Sequence, residues 1–226
     1  MLDYIFEELK QRKLNTAALR KQLESTKIDN WLKEKIESFC ERHDLSFNLV
    51  KYKIIHDDLF VLNFIKEPAK QTLHQNLAKK FMLNMDCISD FQVLPAAGKE
   101  SIFVINGIIM KEEQKKNSSV SVKSIDFEWK FTNPIGEIVQ CYASHKYTHQ
   151  EGGAQTQQFT ELMTFLENAQ KHKQNLFFYA ICDGRFYKAP YEGSLTRIDY
   201  LNKNYSGPRC HSLTINDIES YMKIHL

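Results

Sequence analysis

SIDFEWKFTNPIGEIVQCYASHKYTHQEGGAQTQQFTELMTFLENAQ, residues 124–170, decides the fold. Asn133-Pro134-Ile135-Gly136 has Asn, Pro and Gly at the first, second and fourth positions of a type I turn. SIDFEWKF before it and EIVQCYAS after it alternate with period two and are rich in aromatic or β-branched residues, so they form a hairpin. With Gly136 in the left-handed position of a three-residue loop, Asn133 faces Glu137, and paired residue numbers sum to 270. Asp126 then faces Ser144, Glu128 faces Tyr142, and Ser124 faces Lys146. Alternation places Asp126, Glu128, Lys130, Tyr142, Ser144 and Lys146 on one face. Ile125, Phe127, Trp129, Phe131, Cys141, Ala143, His145 and Tyr147 fall on the other. A slip of one residue would mix the apolar set with the charged one.

Downstream, Gly152-Gly153 opens a helix with Phe159, Leu162, Met163 and Leu166 in an apolar stripe. Its first turn offers free N–H groups to a phosphate, and Gln155, Gln157 and Gln158 are of the type that pairs with adenine edges. The same residues also suit a simple strand-to-helix passage with polar filler. LFFYAI (176–181) has the length and continuous apolarity of a strand buried on both faces.

An acid and a lysine on neighbouring strands, followed by a helix and a buried strand, resemble the PD-(D/E)xK nuclease core. The resemblance is to type II restriction endonucleases in particular. It rests on SIDF, on Ser144-His145-Lys146 and on KYTHQEGGAQTQQF, all within residues 101–187. It implies an α/β fold with a mixed central sheet flanked by helices. It implies Mg²⁺ held by Asp126 and a second carboxylate, and a water-orienting Lys146. It further implies a homodimer on double-stranded DNA, a short palindromic site, for which an A:T-rich sequence of eight base pairs is one candidate, and a cognate DNA methyltransferase that protects the host. Ser144 stands where the family has Asp or Glu. Two residues can replace that carboxylate: Glu161 from the helix, or Glu128 beside Asp126. The departure at Ser144 also keeps open a catalytically inactive DNA-binding module, alongside a structure-selective or repair nuclease.

The remainder of the 226 residues frames this core. With 42% hydrophobic residues the chain can bury a sizeable interior, and a net charge of +2 confines any DNA-binding surface to a local patch. Five scattered cysteines without metal-ligand spacing suit reduced thiols in a cytoplasm, which the resemblance implies is bacterial. No apolar run reaches membrane-spanning length.

Residues 1–45 form a helical arm for dimerisation or DNA contact, with Asp29 capping its second helix. The core is expected over 46–226. Within it, 46–66 read as two strands turning at His56-Asp57-Asp58, a weak metal candidate. Pro68 starts a helix running to about Met85. SIFVINGIIM (101–110) reads as the first core strand, and KEEQKKNSS (111–119) as a polar loop whose Lys115 and Lys116 could clamp DNA. Asp183-Gly184 is a turn, and Arg185-Phe186-Tyr187 begins a return strand. Arg197 and Arg209, with Lys203, Tyr200 and Tyr205, make a basic-aromatic segment suited to nucleic acid or to loop packing. Thr214 and Asp217 cap a final helix.

Overall fold

The computed structural model describes residues 1–25, 28–65, 70–115, 122–149, 151–173 and 175–226, with side chains throughout except at 70–72. Two compact units emerge: residues 3–73, and residues 1–2 with 74–226.

The first unit is helical. Helix α1 (Tyr4–Glu24) starts where Asp3 Oδ1 accepts the N–H groups of Ile5 and Phe6, at 3.0 and 3.1 Å. Helix α2 (Asn30–His43) is capped by Asp29, as expected, through a 2.7 Å bond from the Leu32 N–H. The two strands expected over 46–66 do not form. Ser46 Oγ accepts the Leu49 N–H at 3.3 Å and opens helix α3 (Phe47–His56). A 3-10 turn follows at Phe60–Asn63. The residues that turn inward, Val50 and Ile54, are four apart, and they join Leu19, Leu23, Leu32, Ile36, Val61 and Phe64 in one apolar core. Helical spacing of the buried side chains thus overrides a β-branched composition. This unit runs past residue 45, the expected end of the helical arm, to residue 73.

The second unit holds the sheet. In chain order it has helix α4 (Lys70–Leu83, its first residues in the other unit), strand β1 (Ile88–Val93) and the hairpin β2 (Ile102–Ile105) and β3 (Ile108–Lys111). The short helix α5 (Glu112–Lys115), β4 (Phe127–Thr132), β5 (Ile138–Tyr147) and α6 (Gly153–Ala169) follow. Next come β6 (Leu176–Asp183), α7 (Arg185–Lys188), the small hairpin β7 (Pro190–Glu192) and β8 (Leu195–Thr196), α8 (Arg197–Tyr205), β9 (Cys210–Leu213) and α9 (Ile218–His225). Among the described residues, five strands form the central sheet in the order β1-β4-β5-β6-β9. β1, β4 and β5 are antiparallel neighbours; β5, β6 and β9 are parallel. The sheet is therefore mixed, with α6 as the crossover from β5 to β6.

The β4–β5 register is the one the turn dictates. Phe127 pairs with Ala143, Glu128 with Tyr142 and Trp129 with Cys141, each pair summing to 270. Gly136 has φ +86°, and the Asn133 N–H donates to the Glu137 carbonyl at 2.9 Å. Phe127, Trp129 and Phe131 are fully buried. Each contributes about 2–3 kcal/mol by leaving water. A one-residue slip would forfeit most of the ~5–15 kcal/mol by which a protein is stable.

Three expectations are corrected here. SIFVINGIIM is not a core strand but the hairpin β2–β3, in a sheet of its own. Asn106 (φ +49°) and Gly107 (φ +78°) make the primed turn that Asn-Gly favours. The sheet instead begins at β1, a strand interrupted by a bulge between Ser89 and Gln92. The β4 ladder starts at Phe127 rather than Ser124, and Ile125 turns toward the α6 side to pack with Phe159 and Leu162. Arg185-Phe186-Tyr187 coils into α7 instead of returning as a strand. The start of the helix expected at Pro68 lies outside the described residues.

Candidate active site

The site is built where β5 runs out beneath α6. Lys146 is the penultimate residue of β5, and Thr148 lies just past its end. Gln158 and Glu161 are three apart on α6, so they are neighbours on one helical face. The two pairs meet. Thr148 Oγ1 donates to Gln158 Oε1 at 2.7 Å, and Lys146 Nζ lies 3.4 Å from Glu161 Oε2. Lys146 and Glu161 are largely covered, with side chains 11% and 14% exposed. The other oxygen of Glu161 lies 3.7 Å from Lys123 Nζ. α6 is set in place by Phe159, Leu162, Phe165 and Leu166, which pack on Phe178, Ala180 and Cys182 of β6. Glu161 immediately precedes Leu162, and so rises at the edge of that stripe toward the strand.

Asp126 and Ser144 meet as the hairpin register requires. Ser144 Oγ donates to Asp126 Oδ2 at 3.3 Å, and the same oxygen accepts the backbone N–H of His145 at 2.8 Å. Among the described residues, Asp126 Oδ1 receives a single 3.4 Å contact, from the Gln75 amide of α4. Asp126 and Ser144 are both buried. On the opposite face of β5, His145 Nε2 stands 3.1 Å from Asp183 Oδ2 at the end of β6. Asp183 Oδ1 accepts the Ile215 N–H at 3.0 Å, and its carbonyl accepts the Thr148 N–H at 2.8 Å. The backbone on either side of Lys146 is thus anchored, before it through Asp126 and after it through Asp183.

Asp126 meets Ser144, and Glu161 meets Lys146 two residues further along β5. Glu128 does not share their contacts. It is half-buried beside Tyr142, makes no hydrogen bond or ion pair among the described residues, and has its carboxyl pushed up by burial. Of the two candidates for the second carboxylate, Glu161 is the one that meets Lys146.

The residues expected to touch DNA fare unevenly. Lys115 turns inward: its Nζ donates to the Val122 carbonyl at 3.2 Å and sits 4.1 Å from the Phe103 ring. Arg197 is an internal strut, bonded to the Phe186 carbonyl at 3.0 Å, stacked 3.9 Å over the Phe186 ring and paired with Glu151. Gln158 is taken by Thr148, and Gln155 folds back on Gly152, where an added Cβ would stand 2.7 Å from its Oε1. Gln157 and Arg209 are exposed, the latter bonded at 3.4 Å to the Lys173 carbonyl. Lys116 lies outside the described residues. Asp57 and Asp58 are also spent locally. Asp57 accepts the N–H groups of Phe60 and Leu59, which lower its pKa, and Asp58 pairs with Arg20 at 2.8 Å.

The donor set suits a hard cation better than a soft one. Asp126 and Glu161 offer carboxylate oxygens, and among the described residues Asp126 Oδ1 carries one long contact, to Gln75. No cluster of three or more His, Cys, Asp or Glu side chains fit to cage a metal occurs among the described residues. Mg²⁺ needs one or two carboxylates and keeps several waters, so two acids are chemically sufficient. No described helix is long and apolar enough to cross a membrane. No protein family, curated protein or solved structure matches this chain.

Proposed function

We propose that the chain is a Mg²⁺-dependent nuclease that hydrolyses double-stranded DNA, acting as a type II restriction endonuclease and as a homodimer on a palindromic site. One observation carries the reading. Glu161 reaches from α6 to Lys146, two residues past Ser144, and Ser144 in turn holds Asp126. An acid displaced from the strand to the helix thereby stands beside the lysine that needs it.

Asp126 and Glu161 are the residues that would hold Mg²⁺. When bound, the ion lowers the pKa of a coordinated water and offsets charge on the phosphate. Lys146 orients the attacking water and stabilises negative charge developing on phosphate oxygens. Ser144 and the His145 N–H fix the Asp126 carboxylate, so its outer oxygen keeps one direction. Glu161 neutralises Lys146 before substrate arrives, which offsets the cost of covering a lone ammonium.

A second reading has support of its own. Asp126 is buried, and one of its oxygens is already filled by two neutral donors. That suits a binding-only module in which the acid has become structural.

Digestion of a long, sequenced linear DNA with Mg²⁺ separates the two. Discrete fragments are expected from the wild type and none from Asp126→Ala or Lys146→Met, with circular dichroism confirming that each variant folds. A smear would replace sequence-specific cleavage by non-specific or repair-type cleavage. DNA bound but left intact, with an A:T-rich palindrome library included, would favour the binding-only module. Normal cleavage by Asp126→Ala would remove this site altogether.

A further inference from the structure

Glu161 is shared between two lysines that differ in where they stand. Lys146 is 11% exposed, whereas Lys123 is 64% exposed. An anion arriving from solvent meets Lys123 first. The Lys123 ammonium has three N–H donors, and its contact to Glu161, at 3.7 Å, is looser than a hydrogen bond. Donors therefore remain for phosphate oxygens.

Lys123 is also held in place. Val122 is buried against Phe103 and Ile105, and its carbonyl accepts Lys115 Nζ at 3.2 Å. On the other side, buried Ser124 donates to the Ala96 carbonyl at 3.1 Å, and the Ile125 N–H bonds the Ile102 carbonyl at 2.7 Å. The backbone is pinned before and after Lys123, and only its side chain is turned outward. This answers what the inward turn of Lys115 leaves open: Lys115 braces the segment, and Lys123 presents the charge.

The charges agree. Around Glu161 two ammonium groups face one carboxylate, and Lys123 is the more exposed of the two. A phosphodiester there would be drawn to the exposed lysine without first breaking the covered Lys146–Glu161 pair.

We propose that Lys123 is a phosphate-binding residue of this site, contacting a DNA backbone phosphate at its outer edge; this rests on the reading of the site as one that receives DNA. The contact is electrostatic and independent of sequence. Its signature is the salt dependence of binding, where each phosphate contact contributes a slope of about −0.9 in log K against log salt.

The test is fluorescence anisotropy of a fluorescein-labelled 30-base-pair duplex of mixed sequence, without divalent ions, titrated between about 50 and 300 mM salt, the range in which such contacts weaken most visibly. Lys123→Gln should weaken binding several-fold and make the slope shallower by about 0.9 per copy of the chain, while Lys123→Arg should keep the wild-type slope. The melting temperature of Lys123→Gln should match the wild type, because the ion pair removed is an exposed one. An unchanged slope in Lys123→Gln overturns the proposal, even if cleavage falls, since Lys123 would then only steady Glu161. Failure of the nuclease reading looks different. Wild type that binds the duplex but never cleaves sinks catalysis, while a shallower slope in Lys123→Gln still establishes the contact. Wild type that binds no duplex at low salt sinks both.

Discussion

The two faces of β5 solve different problems with the same kinds of side chain. On one face, Cys141, Ala143 and His145 are buried against Phe127 and Trp129 of β4, and the one polar member, His145, has a buried acid as partner. On the other face, Tyr142 packs on the α6 cluster, while Ser144 and Lys146 meet Asp126 and Glu161. His145–Asp183 is closed off from solvent and doubly tied to backbone. Lys146–Glu161 retains some access and extends outward through Lys123. One acid–base pair ties the end of the sheet, and the other lies nearer solvent.

Substitutions sharpen that contrast. The largest effect is expected on the closed face. Asp183→Ala leaves His145 Nε2 and the Ile215 N–H without their acceptor in a buried setting. Two such losses cost about 3–5 kcal/mol. Thermal or urea unfolding checks it; a loss below ~1 kcal/mol, the worth of a surface pair, would erase the distinction between the faces.

On the open face the same kind of change should act on rate instead. Lys146→Met should lower DNA cleavage at least ~100-fold, the usual consequence of removing one electrostatic stabiliser. Its unfolding free energy should fall by less than that of Asp183→Ala, since Glu161 retains a contact with Lys123. A variant that instead unfolds while its residual folded fraction cleaves normally would make Lys146 a structural residue.

The smallest effect concerns Glu128, on the open face but outside the cluster. Burial raises its pKa in the folded state above the unfolded value. Its contribution to stability is therefore most favourable at low pH and is lost as pH rises through the folded pKa. Glu128→Gln removes that dependence. It should melt slightly higher than wild type at pH 7, and the two should converge below about pH 4, where both side chains are neutral. A lower melting point at pH 7 would give the carboxylate a stabilising partner.

How much of this is legible in the sequence depends on whether local chemistry or distant packing decides. The hairpin is legible because Asn133-Pro134-Ile135-Gly136 fixes the register within a few residues and alternation does the rest. Ser144 beside Asp126 follows by counting. Glu161 near Lys146 follows only in part, because helix spacing gives the face but not the reach. His145 is placed correctly on the core face, yet its partner Asp183 reads as an ordinary turn residue. Nothing local reveals that a parallel strand brings it alongside. Residues 46–66 mislead because Val50, Ile54 and Ile55 favour strands intrinsically, while burial at four-residue spacing and the Ser46 cap favour a helix. In SIFVINGIIM the Asn106-Gly107 turn signal is present, but the apolar run on both sides of it suggests one long strand. Lys115, Arg197 and Gln158 show the limit for surface chemistry: composition marks them as available, and tertiary contacts occupy them.

The tip of that β2–β3 hairpin has a dynamic consequence. The Asn106 N–H donates to Asn168 Oδ1 at 2.8 Å, and the Gly107 carbonyl is bonded to His172 Nδ1. A Cβ at position 107 would stand 2.5 Å from the Lys171 carbonyl carbon, so the turn lies directly on the end of α6. The final turn of α6 and the hairpin tip are therefore latched into one opening unit. Their amide protons should exchange with solvent deuterium at a common free energy. Any larger residue at position 107 should loosen both together, at the far end of the helix that carries Glu161.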